Sequence, residues 1–171
     1  MTRRVTVRRA RTRDVRAVKE LVDDYAARNI LLSKDLVTLY EDVQEFLVGE
    51  LDGEVVGCGA LHVLWEDLAE VRSVAVAPAA HGLGVGHAIV GALLDQAREL
   101  GLSRIFVLTF EVEFFGRHGF TEISGTPVPP EVYEEMRHSY DAGVAEFLDL
   151  PYVKPNILGN TRMLLTLRTD Q

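Results

Sequence analysis

The turn His81-Gly82-Leu83-Gly84-Val85-Gly86 is the segment best suited to chemistry by residue type and spacing. It joins a strand-like stretch ending near Val76 to a helical pattern opening near Gly84, where free backbone N–H groups and the helix dipole favour a phosphate. Glycines let the backbone close on such a ligand. Neither common nucleotide motif fits: no Gly-Lys-Ser/Thr follows, as a P-loop needs, and the spacing is Gly-x-Gly-x-Gly, not Gly-x-Gly-x-x-Gly. A tight connection without a ligand is the alternative for a glycine turn taken by itself. The five histidines, His62, His81, His87, His118 and His138, have no zinc-like spacing, so no metal is expected. The single cysteine, Cys58, sits between two glycines in an apolar stretch and reads as a buried thiol without an intrachain partner.

These groups must be positioned by a chain of 171 residues, nearly half of them apolar, which fits one domain over residues 1–171 with a core of its own. Its 18 basic and 26 acidic residues leave a formal charge of −8. That balance argues against nucleic acid or an anionic membrane as partner, and requires an anionic ligand to be met by local positive charge. Met1 to Arg9 is basic but lacks the apolar run of a secretory signal, and no stretch is apolar enough to span a membrane. A cytoplasmic protein acting on a small molecule is expected, with a homodimer left open.

Val5 and Val7 alternate with polar neighbours as a short strand, and Thr12 and Asp14 offer a cap and first-turn acid to a helix carrying Val15, Val18, Leu21, Val22 and Tyr25 inward. Asn29 closes that helix, and Ser33 is the expected cap of a second one, with Leu36, Leu39, Tyr40 and Val43 on its apolar face. Strands are predicted at Phe46 to Leu51, Val55 to Leu64 and Glu70 to Val76, the first two joined by an Asp52-Gly53 hairpin turn. After the glycine turn a helix runs from about Gly84 to Leu100 and stops at Gly101. Arg104 to Thr109 reads as a strand buried on both faces, followed by a short helix from Glu111 to His118. A helix at Glu131 to Tyr140, an irregular segment from Pro151 to Gly159 and a terminal strand from Met163 to Leu167 complete an α/β chain with a mixed, mostly antiparallel central sheet flanked by helices.

Val74-Ala75-Val76-Ala77-Pro78 followed by His81-Gly82-Leu83-Gly84-Val85-Gly86-His87-Ala88 resembles the acetyl-CoA signature of GNAT acetyltransferases, with His81 in place of the usual Gln or Arg. Glu111-Val112-Glu113-Phe114-Phe115-Gly116-Arg117-His118-Gly119-Phe120 is similar to the short penultimate helix of the same family. The resemblance implies a GNAT fold and acetyl-CoA as co-substrate. It further implies that backbone around Val74, Ala75 and Val76 pairs with the pantetheine arm, and that the turn, from His81 and Gly82 through Leu83, Gly84, Val85 and Gly86 to His87, holds the pyrophosphate.

Acetyl transfer to an amine needs a neutral nitrogen, so a carboxylate that removes its proton is useful, and a strand amide can stabilise the charge on the carbonyl oxygen. Within the resemblance Glu70 is the candidate base. It and Arg72 are expected on the strand face shared with Val74 and Val76; by themselves they read as ordinary strand charges. Where many members carry a tyrosine to protonate the leaving thiolate, this chain has Phe114 and Phe115, leaving Tyr133, Tyr140, Tyr152 or no acid at all.

Glu70-Val71-Arg72-Ser73-Val74-Ala75-Val76, Phe106-Val107-Leu108-Thr109, Ile30-Leu31-Leu32-Ser33-Lys34 and Asn160-Thr161-Arg162-Met163-Leu164 look like the catalytic domain of bacterial N-acetylglutamate synthases, above all their short actinobacterial form. This likeness implies acetylation of the α-amino group of glutamate, or of glutamine, as the first step of arginine biosynthesis. Lys34, Arg72 and Arg162 are the candidate carboxylate ligands, with Lys154 a weaker addition and each readable instead as a solvated charge. No room is expected for the kinase-like domain that precedes many such catalytic domains. Two alternatives stay open: a GNAT enzyme for another amine, such as a peptide N-terminus, lysine, polyamine or aminoglycoside, and a non-catalytic acetyl-CoA sensor.

Overall fold

The computed structural model describes residues 4–149 and 159–168. In chain order the elements are β1 (Thr6–Arg9), α1 (Val15–Ala27), α2 (Leu36–Glu41), β2 (Phe46–Leu51), β3 (Glu54–Trp65), β4 (Leu68–Val76), α3 (Val85–Glu99), β5 (Arg104–Thr109), α4 (Val112–Arg117), β6 (Thr121–Glu122), α5 (Pro130–Met136), α6 (Ala142–Leu148) and β7 (Thr161–Thr166). The strands form one sheet in the order β1-β2-β3-β4-β5-β7-β6. Only β4 and β5 run parallel, α3 providing the crossover between them. The expected mixed, mostly antiparallel sheet is therefore observed.

Alternation divides the apolar residues between the two faces. Leu47, Leu61, Ala69, Val71, Ile105 and Val107 pack under α3 with Val85, Ile89, Leu93 and Ala97. Phe46, Val48, Cys58, Ala60 and Ala75 pack under α1 and α2. Leu64, Leu68 and Phe106 meet α5 and α6 through Met136, Val144, Phe147 and Leu148. Close approach of α3 depends on glycines in the strands beneath it: a Cβ on Gly57 would stand 2.6 Å from Val85 Cγ1 and 2.8 Å from Ile89 Cδ1, and one on Gly59 would stand 2.8 Å from Ile89 Cγ2.

Local chemistry accounts for most element ends. Asp52 and Gly53 both have positive φ, 51° and 80°, as the hairpin turn requires. Asn29 ends α1 in the left-handed region at φ 58°. Other expectations need correction. Thr12–Asp14 is a 3-10 turn in which the Asp14 carboxylate accepts from the Arg11 amide and from Arg8, so Asp14 ties α1 to β1 and Thr12 caps nothing. Asp35, not Ser33, occupies the N-cap position of α2. The single helix expected over Glu131 to Tyr140 is α5, ending at Met136, with a separate α6 after it, because Asp141 accepts from the Val144 amide and starts a new helix. The short β6 was not expected. The predicted irregular segment falls outside the described residues, except for Gly159.

Candidate functional site

β4 and β5 pair only from Leu68 opposite Arg104 to Val71 opposite Val107. Beyond that point β4 runs on to Val76 and β5 to Thr109 without pairing with each other, and a cavity opens between them. Its walls are Val71 to Val74 and Val76, Val107 to Glu111, Phe114 and Phe115, with Tyr25 and Gly86 toward the glycine turn. Its lining is mostly apolar, as a long, thin and largely uncharged ligand arm requires.

A bulge in β4 shapes this edge. Cys58 is opposite Ala75 but Ala60 is opposite Arg72, so Gly59 faces two residues, Ser73 and Val74, and Ser73 takes φ 57°. The Cys58 thiol donates to the Ser73 carbonyl at 3.3 Å inside the bulge, and burial pushes its pKa up to about 12, which suits a structural thiol. The bulge also overturns the expected side-chain parity. Val74 and Val76 point toward α3, while Glu70 and Arg72 point to the opposite face, toward α6. Strict alternation would have kept all four together.

The bulge leaves the backbone of Val74 and Val76 directed into the cavity, because the Ala77 amide donates to Val56 on β3 and Ala75 pairs with Cys58 on the same side. The Val76 amide donates to the Tyr25 hydroxyl at 3.1 Å, and its carbonyl accepts from His81 Nε2 at 3.0 Å. Gly82 and Gly84 both have φ 80° with open space around them, so glycine is required there by backbone conformation and not by crowding. Val85, Gly86 and His87 form the first turn of α3, whose amides have no helical acceptor. Leu83 is exposed, and His87 is stacked on Phe114 and lies 2.9 Å from His118.

A second cavity, of about 280 Å³, adjoins the first. It lies between residues 31–35, β4 and α6, and the two cavities share Leu31, Val71, Arg72, Ser73 and Leu108. The second is charged: Lys34, Glu70, Arg72 and Glu146 line it. Glu70 is buried, and burial pushes its carboxyl above the usual range although Arg72 Nε donates to Oε1 at 2.7 Å and pulls it back. Arg72 Nη1 donates to Asp141 Oδ2 at 3.0 Å. Burial pushes Asp141 up, but the Arg72 hydrogen bond and charge prevail and bring it down to about 2. Behind Asp141 stands His62, whose Nδ1 is 2.7 Å from Glu45 Oε1. Glu146 is raised by burial first and then by Glu70, with Arg72 and, after it, Lys34 acting against both.

Of the three candidate carboxylate ligands, Lys34 and Arg72 meet in this cavity and Arg162 does not. Arg162 donates to the carbonyls of Gly125, Glu146 and Phe147 and lies over the Phe106 ring, bracing the end of α6 against β7. Lys154 and Tyr152 lie outside the described residues. Tyr133 donates to the Leu148 carbonyl and Tyr140 is fully exposed, so neither lines a cavity. Sequence reasoning missed Asp141, Gly143, Glu146 and the cavity-facing Tyr25. For Asp141 a signal existed, since an aspartate three residues before Val144 and followed by Phe147 and Leu148 has the pattern of a helix start. For the others there was none. Among the described residues no group of three or more His, Cys, Asp or Glu is gathered as metal ligands, and no helix is long and apolar enough to cross a membrane.

Comparison with known proteins adds four findings. A model of the acetyltransferase (GNAT) family matches residues 9–120. An amino-acid acetyltransferase of Mycobacterium tuberculosis is 70% identical over 167 residues, which cover 96% of this chain and 95% of the relative. The crystal structure of a Mycobacterium tuberculosis protein in complex with CoA, also 70% identical, superposes with a TM-score of 0.92 over 95% of this chain and 99% of that one. An N-acetylglutamate synthase from Neisseria gonorrhoeae, complexed with coenzyme A and N-acetyl-glutamate, superposes with a TM-score of 0.77 at 26% identity, over 97% of this chain but 36% of that longer one.

Proposed function

Because the chain belongs to the acetyltransferase (GNAT) family, we propose that it is an amino-acid N-acetyltransferase that moves the acetyl group of acetyl-CoA to the α-amino group of glutamate, the first step of arginine biosynthesis. The observation that carries this reading is the junction of an apolar cleft with a charged cavity at the Ser73 bulge. The thioester enters along Val74 and Val76, with its pyrophosphate on the α3 amides, and meets an amine held beside Lys34 and Arg72. Glu70, ionised, takes a proton from the ammonium directly or through a water. The neutral nitrogen attacks the thioester carbonyl, the C–N bond forms, the C–S bond breaks and coenzyme A leaves as the thiolate, which takes up from solvent the equivalent of the second proton that the nitrogen sheds on becoming an amide. No tyrosine on α4 is available to protonate it, and a thiolate is stable enough to depart unaided.

Glu146 favours a second reading for the acceptor. A carboxylate on the cavity wall suits the side-chain amide of glutamine, which donates hydrogen bonds, better than the carboxylate of glutamate. Free-thiol release from acetyl-CoA with glutamate, glutamine and unrelated amines tests both readings. Turnover confined to glutamate or glutamine is expected. Turnover only with a peptide N-terminus, lysine, polyamine or aminoglycoside would overturn the acceptor assignment, and silence with every amine would leave a cofactor sensor.

A further inference from the structure

Arg72 is held from two sides by the start of α6. One carboxylate does two jobs there: Asp141 Oδ1 accepts from the Val144 amide at 3.0 Å and begins the helix, while Oδ2 accepts from Arg72 Nη1 at 3.0 Å. His62 Nε2 stands 3.9 Å behind the same Oδ2. Two residues into the helix, Gly143 lies directly against the guanidinium, so that a Cβ there would clash with Nη2 and come within 2.8 Å of Cζ. Gly143 has no positive φ, and glycine is the poorest helix former apart from proline. Its backbone therefore does not call for glycine; the space taken by Arg72 does.

The guanidinium is thereby fixed with its donors assigned. Nε goes to Glu70 and Nη1 to Asp141, whereas Nη2 is buried beside Gly143, a residue of the cavity wall, with no hydrogen-bond partner among the described residues. A buried donor without an acceptor is costly, and a carboxylate entering the cavity would relieve that cost with a charge-assisted bond. We propose that Asp141 and Gly143 are positioning residues of the acceptor site, which hold Arg72 so that Nη2 meets a carboxylate of the incoming amino acid. The inference rests on the reading that this cavity takes a carboxylate-bearing acceptor.

Two variants separate positioning from folding. Asparagine caps helices as well as aspartate, so Asp141→Asn keeps the start of α6 through its one oxygen and removes both the charge and the acceptor that grip Arg72. Gly143→Ala improves helix propensity and adds the methyl that displaces the guanidinium. Each should raise the acceptor KM about tenfold, with the KM for acetyl-CoA changed less than about twofold. Arg72→Met is the reference: in its background Gly143→Ala should have little further effect on the acceptor KM, because the clash is gone. If Arg72→Met raises the acceptor KM but Asp141→Asn and Gly143→Ala do not, positioning by α6 is overturned and the acceptor site stands. A rise in both KM values together with a lowered melting temperature would equally overturn it, as a structural role. An acceptor KM unmoved by Arg72→Met would instead remove the acceptor-site reading on which the inference rests.

Discussion

Arg72 Nε donates to Glu70 Oε1 at 2.7 Å, so the residue best placed to take a proton is bound to the residue best placed to hold the substrate. Burial nevertheless prevails at Glu70 and lifts its carboxyl above the usual carboxylate range. A base works ionised, so activity should be complete above that raised value and fall as pH drops through it. The acid limb of kcat/KM should thus lie above the pKa of about 4.3 of an ordinary glutamate. Glu70→Gln should lower kcat by about 100-fold or more and abolish that limb. A pH–rate profile of both proteins checks this, and an unchanged limb in Glu70→Gln would assign the titration to another group.

Lys34 and Arg162 carry the same charge but should fail differently. Lys34 lines the acceptor cavity, so Lys34→Met should raise the acceptor KM about tenfold with the fold intact. Arg162 is spent on the carbonyls of Gly125, Glu146 and Phe147. Arg162→Met should therefore cost on the order of 2 kcal/mol of stability, because charge-assisted bonds to half-buried carbonyls are lost. Denaturant unfolding and steady-state kinetics on the two variants distinguish these outcomes.

The contrast between those two cations marks where the sequence stops being informative. Glycine spacing, turn chemistry and apolar periodicity act over a few residues, which is why the hairpin at Asp52-Gly53, the buried strand at Arg104 to Thr109 and the turn before α3 could be read directly. The bulge at Ser73 could not, since serine has no special preference for φ 57° and Glu-Val-Arg-Ser-Val-Ala-Val alternates without a visible break. One hidden residue of slip carried Glu70 and Arg72 to the opposite face from Val74 and Val76. Arg162 met its partners across fifteen or more residues of chain, a distance over which pattern carries no information about which carbonyl a guanidinium will find.

Gly84 enters the left-handed region at φ 80° immediately before α3, at the point where a pyrophosphate would meet the free amides. Gly84→Glu places both a strained backbone and a negative charge there. Affinity for acetyl-CoA should fall at least about tenfold, measured by calorimetry or by KM, and the loss should be the same for every acceptor amine. Unchanged affinity would move the phosphate site away from this turn.

Gly57 tests the framework that carries that turn. It faces α3, and a Cβ there would stand 2.6 Å from Val85 and 2.8 Å from Ile89, two fully buried side chains in the first turns of the helix. Neither is a flexible chain end in open space, so Gly57→Ala must push α3 away from the sheet or force poor rotamers, at a cost of about 1–3 kcal/mol. Because Val85 opens the helix beside the glycine turn, displacement there shifts the α3 amides as well. Thermal unfolding should show lower stability, and affinity for acetyl-CoA should weaken while the acceptor KM holds, since the acceptor cavity lies on the opposite face of β4. Loss of acceptor affinity alone would mean that α3 tolerates the methyl group and that strain passes through the sheet instead.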